Sequence, residues 1–145
     1  MKETLILVGG IIITIGVVSF VTASLIILAK YNKAKRYCRC LVQEILTLKS
    51  SANGNSLCIH KYRELVEKSA KFGIFMVDID VFDDELAKVA LAVHRRHIAY
   101  LKTLLEERQR KGSNDQGLEN EISRMFKEGE EFEKDFITSP KPPMR

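Results

Sequence analysis

The chain has 145 residues, 46% of them hydrophobic and 29% charged, with a formal net charge of +4. That length allows one domain with a modest core and leaves little room for an enzyme with a deep, enclosed pocket. Three cysteines at irregular spacing, Cys38, Cys40 and Cys58, do not read as a disulfide framework and fit a reducing compartment.

Residues 1–4 read as a short extracytoplasmic N-terminus. From Leu5 to Ala29 no residue is charged, and the polar side chains Thr14, Ser19, Thr22 and Ser24 can bond back to their own helix. A hydrocarbon core about 30 Å thick takes about 20 helical residues. Residues 5–29 therefore predict one transmembrane helix, with length to spare for tilt. A cleaved signal peptide is the rival, since Val21-Thr22-Ala23 has the small residues of a cleavage site. The apolar run outlasts the roughly 7–15 residues of a signal core and continues through Ser24–Leu28, which favours an anchor.

Only Lys2 and Glu3 precede the span, whereas Lys30, Lys33, Lys35, Arg36 and Arg39 follow it. Positive flanks stay inside, so the expected topology is single-pass, N-terminus outside and C-terminus cytoplasmic. Tyr31 and Tyr37 are placed to sit near the head groups. Within the span, Gly9, Gly16 and Ala23 recur every seven residues, with Ile12, Ser19 and Ile26 between them. Small residues in that register form a left-handed packing face on which a second copy or a partner helix can approach closely.

Residues 30–49 predict a basic juxtamembrane helix with Leu41, Val42, Ile45 and Leu48 at helical spacing. Residues 50–56 read as a loop. The region 57–136 is expected to be helical, beginning with Leu57–Lys71, whose apolar side is Tyr62, Leu65 and Val66. Residues 73–82 are ambiguous: Val77, Ile79 and Val81 alternate with aspartates as in a strand, but a lone strand lacks a partner and a helical continuation competes. A long helix follows from Asp84 to about Lys111, with Asp83 as N-cap and a stripe of Leu86, Val89, Ala90, Val93, His97, Leu101 and Leu104. The last helix, about Leu118 to Phe136, carries Ile122, Met125, Phe126 and Phe132. Residues 137–145 form a Pro-rich flexible tail. The expected fold class is all-α: one N-terminal transmembrane helix, then a small cytoplasmic helical hairpin or bundle.

Charge is split along the chain. Residues 30–50 hold six basic side chains against Glu44 alone, and residues 115–135 hold eight acidic side chains against three basic ones. A basic end at a membrane surface and an acidic distal end suit binding to membrane lipids and to a protein partner or a second copy. No basic stripe is interleaved with aromatics, so nucleic acid is not an expected partner.

Metal and cofactor sites are not expected. Cys38 and Cys40, two apart on a helix, point to nearly opposite sides, so they cannot easily share one ion. His94 and His97 are three apart; His97 is read as packed in the stripe and His94 as solvated. In a eukaryotic host Cys38 and Cys40 would be candidates for palmitoylation. Phe75-Met76-Val77-Asp78-Ile79-Asp80-Val81-Phe82 resembles the first metal-binding strand of diguanylate cyclases, which would imply Mg²⁺ on Asp78 and Asp80. The likeness spans eight residues, no glycine-rich acidic signature loop follows, and the chain is too short for that sheet. Pro140, Pro143 and Arg145 fit the P-x-x-P-x-R pattern that docks in aromatic grooves, set against a plain disordered end. The expected function is a membrane-anchored protein-interaction module without catalytic activity: an adaptor, an assembly subunit or a small regulator. The alternatives are a lysis, toxin or exclusion protein acting through its membrane helix and, further off, a metal-dependent enzyme using Asp78 and Asp80.

Overall fold

The computed structural model describes residues 1–79 and 83–138. Four α-helices account for most of them: α1 (Lys2–Leu48), α2 (Leu57–Phe72), α3 (Asp83–Arg110) and α4 (Gln116–Glu133). A short 3-10 turn, Met76–Ile79, precedes α3, and a π-type turn, Lys134–Thr138, follows α4. The all-helical class holds, with no strand among the described residues.

The helix ends follow from local chemistry. After α1 the Asn55 side chain accepts from the Leu57 N–H at 2.8 Å, which turns the chain into α2. Gly73 ends α2 in the left-handed region at φ 62°, and the Ile74 N–H reaches back to the Ser69 carbonyl at 2.9 Å. That six-to-one closure needs a residue tolerant of positive φ, so glycine stands there. Asp115 caps α4 by accepting from the Leu118 N–H at 3.0 Å.

Residues 6–30 of α1 are uncovered apart from half-buried Gly9; beyond them one side of the helix enters the core. Cys38, Leu41, Val42 and Ile45 are buried against Cys58, Ile59, Tyr62 and Leu65 of α2. The two helices run antiparallel: Glu44 pairs with Lys61, Tyr37 with Glu64, and Cys38 approaches Ser69. On α3, Leu86, Ala90 and Val93 close this core. α4 lies along α3, where Ile122 and Met125 meet Ile98. Phe132 and Phe136 then return to Tyr62, each ring centroid 5.3 Å from it in edge-on geometry. The loop 50–56 is fastened to α3: Arg96 donates to the Lys49 and Ser51 carbonyls, both at 2.9 Å.

One open choice is settled and two expectations need correction. The strand alternation at Val77 and Ile79 is carried by a 3-10 turn, because Ile79 folds into the core and Arg39 binds the Asp78 carbonyl at 3.3 Å. Asp83 is the first residue of α3 rather than its cap. The two histidines exchange roles. His94 is fully buried against α4, and His97 is half-buried at the loop, its Nδ1 3.1 Å from the Asn53 carbonyl. A stripe read on α3 alone misses the second buried face that α4 creates.

Candidate functional site

α1 is the one helix among the described residues long and apolar enough to cross a membrane; its most apolar stretch has mean hydropathy 2.7 and no buried residue. A core helix of a soluble protein would be covered by its own chain. Here residues 6–30 are exposed apart from Gly9, which is half-buried. The hydroxyls bond inward, as apolar surroundings require: Thr14 to the Gly10 carbonyl at 2.8 Å, Thr22 to Val18 at 2.5 Å and Ser24 to Phe20 at 2.8 Å.

Gly9, Ile12, Gly16, Ser19 and Ala23, the residues expected to form a packing face, lie on this uncovered stretch. A Cβ added at Gly9 or Gly16 would meet nothing within 4 Å, so the space beside each glycine is open.

The basic residues that follow the apolar stretch divide. Arg39 folds onto the 3-10 turn through the Asp78 carbonyl. Lys35 is half-buried, and Arg36 is exposed. Lys30 and Lys33 border a groove whose other wall comes from α2, with Lys68, Lys71 and Phe72. Those three α2 residues escaped the sequence reading. The signal was present as two lysines three apart at the end of a helix, but its meaning depends on the antiparallel return of α2 to the start of the folded part.

The remaining candidates disperse. Cys38 is fully buried, its sulfur 3.9 Å from the Ser69 hydroxyl, so it is not open to acylation, whereas Cys40 is exposed. Burial pushes the Cys58 thiol up to about 11, partly countered by nearby Lys61. Asp78 is half-buried on the 3-10 turn, and Asp80 lies outside the described residues. Pro140, Pro143 and Arg145 also lie outside them. Among the described residues no three His, Cys, Asp or Glu side chains gather as a metal site. Part of the acidic block is spent internally, since Glu133 pairs with Arg95 at 2.6 Å and Asp115 with Arg108. No protein family matches the chain, and neither a curated protein nor a solved structure is similar to it.

Proposed function

We propose that this chain is a single-pass membrane protein that anchors a small helical interaction domain, without catalytic activity of its own. One observation carries the reading: α1 is a single helix whose apolar stretch is uncovered and whose last turns are core. An anchor continuous with the domain it holds transmits position and orientation, as an adaptor or assembly subunit needs. The basic flank supports a cytoplasmic domain with the N-terminus outside. The open space beside Gly9 and Gly16 supports association through the span, with a second copy or a partner helix.

The test is a pull-down in mild detergent comparing the full chain with a form in which residues 5–29 are replaced by an unrelated membrane helix. Retained partner or self-capture by the native chain and its loss in the replacement are expected. Equal capture would move the interaction to the folded domain. Gly16→Leu should weaken self-association in a membrane two-hybrid assay by about tenfold, and an unchanged signal would remove the packing face from the proposal.

A further inference from the structure

The groove between α1 and α2 opens immediately beyond the apolar stretch and holds about 510 Å³. Lys30 and Lys33 of α1 and Lys68 and Lys71 of α2 surround it, and Ala34 and Phe72 give it an apolar floor. Tyr37 completes the lining, its hydroxyl committed to Glu64 at 2.5 Å, with the Lys68 ammonium 5.9 Å from the centre of its ring. Among the described residues no carboxylate lines the groove. Among the described residues, none of the four lysines is ion-paired.

Four ammonium groups around an apolar floor call for an anion that carries hydrocarbon. The position of the groove says where that anion comes from. Ala34 is five residues beyond Ala29, about 7–8 Å along a helix. The head-group layer on each side of a bilayer is about 5–8 Å deep. The groove therefore lies at the level of the phosphates if α1 spans as proposed above, and the inference rests on that reading. A run of basic residues after a span is ordinary. Here half of the charge comes from α2, folded back to the same level, which makes a two-walled site rather than a flank.

We infer that this groove seats the head group of an anionic phospholipid of the surrounding leaflet. The phosphate sits among the four ammonium groups, the glycerol lies on Phe72 and Ala34, and the acyl chains return along α1.

The test reconstitutes the full chain into phosphatidylcholine vesicles with a trace of spin-labelled phosphatidylglycerol or spin-labelled phosphatidylcholine. The motionally restricted lipid fraction is read by electron paramagnetic resonance. The native chain should restrict phosphatidylglycerol preferentially. Lys68→Gln/Lys71→Gln should cut that preference about fivefold or more. Lys111→Gln/Lys127→Gln, with the same loss of charge elsewhere, should leave it unchanged. The exposed pair Lys30→Gln/Lys33→Gln should reproduce the loss, so the outcome does not depend on how α2 tolerates substitution. Equal restriction of both lipids, or a preference indifferent to Lys68 and Lys71, overturns the inference. So does displacement of the lipid by millimolar glycerol 3-phosphate, which would assign the groove to a soluble phosphate ester. A chain stripped from the vesicles by an alkaline wash overturns the span and this inference with it. A chain that stays but shows no preference overturns the groove alone.

Discussion

Cys38, Cys40 and Cys58 divide between two environments within the α1–α2 pair. Cys40 is exposed, its sulfur 3.6 Å from a Glu44 carboxylate oxygen. Cys38 and Cys58 are fully buried, and the Cys58 thiol is held protonated at neutral pH. Thiolate and access together set reactivity. Maleimide treatment of the folded chain should therefore modify one thiol, which peptide mapping places at Cys40. The other two should react about a hundredfold slower or worse, since each needs the core to open. Rapid labelling of Cys38 or Cys58 would contradict the packing of α1 on α2. His94 offers a second probe. Its Nε2–H donates to the Met125 carbonyl at 2.8 Å, and the approach is allowed by Gly129, where an added Cβ would lie 3.2 Å from the imidazole. Glycine inside a helix costs about 1 kcal/mol relative to alanine. Gly129→Ala should fail to recover that in the native background and should recover it beside His94→Ala. A double-mutant cycle by urea unfolding should give a coupling of about 1 kcal/mol or more, and additivity would mean the contact is slack.

At the scale of elements, the loop 50–56 and the start of α4 do the joining. Gly54 has φ 65°, and a Cβ there would fall 2.4 Å from the His97 nitrogen and the Val93 oxygen. Both are backbone atoms of a helix and cannot step aside. Gly54→Ala should cost about 2–4 kcal/mol in chemical denaturation, from the left-handed backbone and the clash together. On α4, the Leu118 N–H, with Arg108 beside it, holds the Asp115 carboxyl below its ordinary range. A depressed folded value stabilises above the unfolded value and is lost as pH falls through the folded one. Native protein should thus melt higher than Asp115→Asn at pH 7, with the gap constant down to about pH 5 and closing below about pH 4. A gap that persists at pH 2 would mean the charge is not its source. These elements also mark what the sequence could and could not tell. The apolar stretch of α1 and the helical class were legible because each is written in consecutive residues: an uncharged run, then apolar spacing on α2 and α4. The Gly54 contact, the burial of His94 and the union of Lys30 and Lys33 with Lys68 and Lys71 were not. Each depends on which helix lies opposite, and that is settled by packing between segments about 30–40 residues apart. Val77 and Ile79 stayed ambiguous for the same reason, their alternation being consistent with either state until Ile79 found the core.

On the scale of the whole molecule, α1 divides into an uncovered apolar stretch and a packed one, and the boundary between them predicts where the chain can be cut. Leu41, Val42 and Ile45 are at most 4% exposed. Burying each is worth about 1.5–3 kcal/mol, so the three contribute about 5–9 kcal/mol, comparable to the whole stability of about 5–15 kcal/mol that a domain possesses. Residues 6–29 add no such burial. A chain beginning at Lys30 should remain helical, melt cooperatively without detergent, and no longer float with vesicles. A chain beginning at Lys49 loses the wall against which Cys58, Ile59 and Leu65 pack and should show no cooperative transition by circular dichroism. If that shorter chain melted sharply, α1 would be an anchor laid beside a self-sufficient domain. If the longer one needed lipid to fold, the apolar stretch would be part of the core. The geometry predicts neither, because the contacts of α1 begin only beyond the apolar stretch, at the level of Tyr31 and Ala34.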